Sequence, residues 1–153
     1  KTCVQIYEEG SEFEIGKAVM LRDGSDVTLI ASGFCTAEAL KAAKTLSAQG
    51  IEARVLNLFT WKPIDTNAVV AAAGDTGAIV TAENHNVING LGSAVAEVLA
   101  KNRPVPVEMV GVQDRFGEVG PLDYLADRFG LTEPYIVEAA KKAVSRKMQK
   151  NME

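Results

Sequence analysis

The residues with chemical potential gather in one stretch, VTAENHNVINGLGSAVAEVLA. It holds the only histidine of the chain, His85, flanked by Glu83, Asn84 and Asn86, and then Gly90-Leu91-Gly92-Ser93. An imidazole titrates near neutral pH and, beside a carboxylate, can act as an acid or a base. A Gly-x-Gly turn that opens a helix can hold an anion on the free N–H groups of the first turn. The turn GLGSAV begins like a dinucleotide fingerprint, but Val95 stands where the third glycine belongs. It also follows a loop rather than a strand end, so the tight strand-to-helix geometry is missing. Glu108 falls near the place of a ribose-binding acid, a spacing that chance supplies easily. For Gly92 and Ser93, helix capping by the Ser hydroxyl is favoured over anion binding. Glu83, His85 and Asn86 have two roles open to them: ligand or catalytic groups at a strand end, or groups that bond their own loop or face a partner subunit. Spacing alone favours the second.

Three other positions stand out. Cys35 lies near a helix start, where a thiolate would be favoured. No base is near it in sequence, and a small buried apolar residue is the better reading. Arg115 in DRFGEVG can bind a carboxylate or phosphate, or the Asp114, Arg115 and Glu118 side chains can brace the loop internally. Trp61, next to Lys62-Pro63, reads as a lid on the core or an interface residue. With a single histidine, a His-rich metal site is excluded.

The elements around these residues alternate. KAVMLRDG (17–24) and DVTLIAS (26–32) read as strands, the second apolar enough to be buried on both faces. Their closeness predicts a hairpin, with the first as an antiparallel edge strand. Helical spacing of Ala39, Leu40, Ala43 and Leu46 predicts a helix over 36–50, stopped by Gly50. A strand over 51–59 follows, then a turn at 62–65 with Asp65 as N-cap of the next helix. Further on come a strand (77–83), a helix (92–102), a strand (105–112), the Gly-rich loop (114–120), a short helix (121–130) opened by Pro121, and a final helix (133–150). This order predicts an α/β domain with a mostly parallel sheet and helices on both faces.

The bulk numbers bound the function. A length of 153 residues suits one domain with a proper core. Net charge is -4, so nucleic acid is a poor partner. The basic residues Lys141 to Lys150 read as the solvated face of a last helix with a frayed end. Cys3 and Cys35 have neither metal nor redox spacing, which fits reduced thiols in the cytoplasm. No apolar run approaches the roughly 20 residues that span a membrane. The opening residues, KTCVQIYEEGSEFEIG, do not begin with Met and look like the exit from an upstream domain. Residues 1–16 are therefore expected to be a linker, 17–147 the domain and 148–153 a tail.

Four motifs in order resemble the C-terminal domain of transketolases. They are FEIGKAVMLRDGSDVTLIASG, GIEARVLNLFTWKPID, VTAENHNVINGLGSAVAEVLA and GVQDRFGEVGPLDYLADRFGLT, spread over roughly residues 13–146. Asn84 stands where many of that family have Glu. The DRFG form is most similar to split, bacterial-type transketolases. The domain is shared with 1-deoxyxylulose-5-phosphate synthase and with 2-oxo acid dehydrogenase β subunits. The resemblance implies a three-layer α/β/α sandwich whose five-stranded, mostly parallel mixed sheet carries one antiparallel edge strand. It implies a parent enzyme that moves two-carbon ketol units between sugar phosphates, with thiamine diphosphate and magnesium, through the ylid of the cofactor. It also implies that the cofactor belongs to upstream cofactor- and pyrimidine-binding domains or to an N-terminal subunit. The full form is then a homodimer or a heterotetramer, and this chain alone at most a weak dimer. GDTG (74–77) is not the diphosphate motif, because Thr76 takes the third place and no Asn pair follows. No catalytic, cofactor-binding or metal-binding residue is therefore assigned here. The possible ligand or interface loop comprises Glu83, His85, Asn86, Gly90, Gly92, Ser93 and Arg115. A stand-alone regulatory module that binds a small ligand through that loop is the alternative.

Overall fold

The computed structural model describes residues 4–150; Cys3 and residues 151–153 lie outside them. Five strands form one sheet: β1 (Val19–Arg22), β2 (Val27–Ala31), β3 (Ala53–Asn57), β4 (Ile79–Asn86) and β5 (Val107–Val112). Five helices accompany them: α1 (Phe34–Ser47), α2 (Thr66–Thr76), α3 (Leu91–Asn102), α4 (Leu122–Arg128) and α5 (Glu133–Lys150). The strand order is β1-β3-β2-β4-β5, with β1 antiparallel and every other pairing parallel.

The expected antiparallel edge strand is present, but its partner is not β2. Met20 pairs with Leu56 and Val19 with Asn57, both on β3. The predicted hairpin does not form, because β2 is buried along its whole length and needs a parallel neighbour on each side. β1 is only half buried and tolerates a single neighbour. The link between them crosses the start of β3, where Gly24 packs onto the backbone of Glu52–Arg54 too closely for a Cβ. Arg54 then ties Asp23 and Asp75 at 2.9 and 2.6 Å.

Two apolar layers flank the sheet. One joins Leu29, Val55 and Val80 to Leu46 of α1 and to Ile136 and Ala140 of α5. The other joins Ile30, Leu56 and Ile79 to Val69 of α2 and to Val95 and Leu99 of α3. At about 25 cal/mol per Å2 of apolar surface removed from water, these layers are the main source of stability. Polar groups fix the element ends. Asp65 accepts from the Ala68 N–H at 3.0 Å as the predicted N-cap and holds the Ala18 N–H at 2.9 Å, locking β1 to α2. Gly50, at φ 78°, lies just past the end of α1, with the Ile51 N–H on the Leu46 carbonyl at 3.0 Å.

The last helix is held more firmly than its basic run suggests. Lys142 and Arg146 grip Glu108 at 2.8 and 2.6 Å. Lys147 donates to the Asp26 and Thr76 carbonyls at 2.8 and 3.0 Å. The helix runs to Lys150 as expected and its basic face is largely solvated, but the face is not idle: it ties α5 to the start of β5, to the end of α2 and to Asp26 before β2. Glu108, weighed above as a ribose acid, is held below its ordinary range by these cations, which outweigh the opposing effect of burial. The segment before β1 also folds back on the domain. Tyr7 stacks edge-on against Phe13 and its hydroxyl accepts from the Asn57 amide at 2.6 Å.

Candidate functional site

The carboxyl ends of β2, β3 and β4 bring most of the predicted residues to one edge, where open α/β sheets usually place ligands. β4 is longer than expected and runs to Asn86. Between Ala82 and Asn86 its pairing with β5 slips, so residues 83–85 bulge past Gly111. A Cβ at Gly111 would lie 2.8 Å from Val87 Cγ1 and 3.0 Å from Glu83 Cγ, so only glycine fits beneath the bulge.

Glu83 is the residue whose role the sequence hid. Its side chain is fully buried. Oε2 accepts from the Leu91 N–H at 2.7 Å, and Oε1 accepts from the Gly92 N–H at 2.8 Å. The anion at the start of α3 is therefore this internal carboxylate. Gly90, the N-cap residue, offers no side-chain bond. A Cβ at Gly90 would intrude on Glu83 Oε2 and the Asn86 carbonyl. Gly92 is also close-packed, though less tightly, since a Cβ there would be 2.9 Å from Met109 Sδ and from Thr81 Oγ1. Burial pushes the Glu83 carboxyl above its ordinary value, against the downward pull of the Gly92 and Leu91 N–H groups and His85.

Ser93 does not cap α3, contrary to expectation. Its hydroxyl accepts from the Asn89 N–H at 3.0 Å and donates to the Val87 carbonyl at 2.8 Å, tying the loop. Glu83 already holds the first N–H groups of the helix, which leaves the hydroxyl to the loop. Asn89 adopts φ 62° in that loop, a left-handed conformation that Asn tolerates.

His85 stays on the surface, with 57% of its side chain exposed. Nδ1 lies 2.9 Å from the Asn86 carbonyl. A carbonyl only accepts, so Nδ1 carries the proton, and in the neutral ring Nε2 is the acceptor. The ring meets Trp61 edge-on at 6.0 Å, and Trp61 itself packs on the second apolar layer as the predicted lid. Asn86 donates to Asp114 at 3.3 Å and accepts from the Ile88 N–H at 2.8 Å. Cys35 is buried, and burial, with Glu38 and Glu83 nearby, pushes its thiol up to about 12, which makes it inert.

An open cleft of about 350 Å3 lies between the end of β4 and α4. Its lining combines the polar Asn84, His85, Asn86 and Arg115 with the apolar Phe34, Leu122, Leu125 and Phe129. The structure thus splits the predicted loop in two. His85, Asn86 and Arg115 share the cleft, whereas Glu83, Gly90, Gly92 and Ser93 belong to the α3 junction behind it. Among the described residues no group of three or more His, Cys, Asp or Glu side chains could hold a metal ion. The glycine turn has no room for a diphosphate, because Glu83 fills it. These residues do not fit thiamine diphosphate and magnesium.

Buried Glu83 joined to the glycine turn, beside a five-stranded sheet with one antiparallel edge, is a specific arrangement, and residues 16–136 match the family described as Transketolase, C-terminal domain. The chain belongs to the transketolase C-terminal domain family. It is 55% identical over 147 residues to the 6-deoxy-6-sulfo-D-fructose transketolase subunit SqwH of Clostridium sp. (strain MSTE9), covering 96% of this chain and 46% of the relative. It is 34% identical over 148 residues to 1-deoxy-D-xylulose-5-phosphate synthase of Halothermothrix orenii, covering 95% of this chain and 23% of that enzyme. A solved structure described as a split gene transketolase, inactive beta4 tetramer, matches with a TM-score of 0.91 at 49% identity, over 94% of this chain and 47% of that one. The transketolase C-terminal domain described here therefore spans less than half the length of the transketolase relatives it matches.

Proposed function

We propose that this domain closes the C-terminal end of a transketolase-type subunit that transfers two-carbon ketol units between sugar phosphates. Thiamine diphosphate and magnesium would serve the parent enzyme from upstream cofactor- and pyrimidine-binding domains or an N-terminal subunit. The part played here is assembly and support rather than chemistry. The observation that carries this reading is Glu83. It converts the glycine turn before α3 into a closed structural joint. The 55% identity to a transketolase subunit favours that parent over 1-deoxyxylulose-5-phosphate synthase or a 2-oxo acid dehydrogenase β subunit.

A support role needs a docking surface, and the loop after β5 offers one. Phe116 and Val119 are 96% and 103% exposed. Apolar side chains raised this far into water on one short loop favour burial against another part of a homodimer or heterotetramer. In this reading the assembled enzyme is cytoplasmic; among the described residues no helix is long and apolar enough to cross a membrane. Sedimentation of the full enzyme with Phe116→Ser and Val119→Ser tests the assignment. Dissociation with the fold of the domain intact supports it, and unchanged assembly refutes it.

A further inference from the structure

The cleft beside His85 carries an arginine that the fold does not use. Glu118 lines it, but its carboxylate is held by Arg128 at 3.0 Å and by the Tyr124 hydroxyl at 3.1 Å. Asp114, at the rim, accepts from Asn86. Arg115 makes no hydrogen bond or ion pair among the described residues. Arg115 is therefore a cation on the cleft lining with no ion-pair partner among the described residues. Asp114, at φ 48°, holds a left-handed backbone immediately before Arg115, a conformation that Asp, like Asn89, tolerates.

The loop has two faces. Arg115, Gly117 and Glu118 turn toward the cleft, while the fully exposed Phe116 and Val119 are absent from its lining. Docking through the outer face leaves the inner one in place. The same lining has an apolar part, built from Phe34, Leu122, Leu125 and Phe129. Asn84 and His85 add hydrogen-bonding groups at the strand end. A volume near the lower bound of ligand pockets, about 300 Å3, suits a compact molecule. A guanidinium matches the planar fork of a carboxylate or phosphate. An apolar wall disfavours a polyhydroxylated body and suits an aryl or short alkyl one.

We propose that this cleft binds a small organic anion, a carboxylate or phosphate monoester on an apolar body, with Arg115 holding the anionic end. The proposal is independent of the parent enzyme. It is tested by amide NMR titration of the isotope-labelled 153-residue chain with phenyl phosphate, benzoate and inorganic phosphate. Saturable shifts at Asn84, His85, Arg115 and Leu125 are expected with phenyl phosphate or benzoate, at a Kd of about 0.1–1 mM. The two organic probes decide between phosphate and carboxylate. Inorganic phosphate, without a body for the wall, should bind about tenfold more weakly or worse. Arg115→Gln should weaken the better probe by about tenfold, with the dispersion of the spectrum unchanged because the side chain is exposed. A second, more polar depression borders Arg115 on its far side, lined by Gln113, Asp127, Arg128 and Tyr135. Shifts confined to that depression would overturn the assignment. So would binding that Arg115→Gln leaves intact, equal affinity for inorganic phosphate, or no saturable shift with either organic probe.

Discussion

Replacing Glu83 by Gln probes the joint between β4 and α3 most directly. The carboxylate accepts two backbone N–H groups, from Leu91 and Gly92, at 2.7 and 2.8 Å. A Gln amide is the same size but has one acceptor and one donor end. One N–H keeps its partner and the other faces an NH2 group, leaving a buried donor unpaired. That costs about 1–3 kcal/mol, offset in part because a buried charge is removed. At roughly 2–4 °C per kcal/mol for a chain of this size, the melting temperature should fall measurably. Urea unfolding at pH 7 gives the free-energy difference. The pH dependence supplies a second check with a definite sign. Burial raises the folded pKa of Glu83 above its ordinary 4.5, so in the window between the two values the folded state binds more protons than the unfolded one. Stability from this group is then fully present below about 4.5 and is lost as pH rises through the folded pKa. Gln does not titrate. The stability gap between wild type and Glu83→Gln should therefore widen as pH falls through that window and stay flat above it. A variant as stable as wild type at pH 7 would refute the capping role. A gap that narrows on acidification would show that the two N–H bonds outweigh burial.

Two further outcomes follow from the packing. Gly90→Ala should destabilise the fold by about 3 kcal/mol or more, because its Cβ has nowhere to go between Glu83 and the Asn86 carbonyl; chemical denaturation measures this, and a cost below 1 kcal/mol, by about the size of an ordinary surface change, would contradict the close approach. In a Cys3→Ser background, Cys35 should resist thiol reagents in the native state at mildly alkaline pH and react fully in urea, given a thiol raised to about 12; fast native labelling would show that the site is open.

Much of this architecture is legible in the sequence, and the parts that are not share a physical reason. Alternating strands and helices, the Asp65 cap and the Gly50 stop are local signals, and each appears where its chemistry requires. The partner of β1 is not legible in the sequence, because pairing is not a local property. Asp23-Gly24 has the look of a hairpin turn, yet the continuous burial of β2 demands two parallel neighbours and moves β1 one place outward. Ser93 resembles a cap for a related reason: its hydroxyl is close in sequence to the helix start, but a carboxylate from the adjacent strand takes the first N–H groups. A signal for Glu83 did exist. A helix opened by Gly90 has no side chain to accept its first N–H groups, so an acceptor must come from elsewhere, and a Glu at the end of the preceding strand is within reach. The link between Lys142, Arg146 and Glu108 had no such local cue, because α5 returns to β5 only through the tertiary fold.

The central claim is that this domain supports a transketolase-type enzyme without binding its cofactor. Calorimetric titration of the isolated chain with thiamine diphosphate and magnesium tests it most directly. No saturable heat is predicted, since the glycine turn is closed by Glu83 and no group of acids is placed to hold the metal among the described residues. Binding with a Kd of about 1 μM would contradict the account.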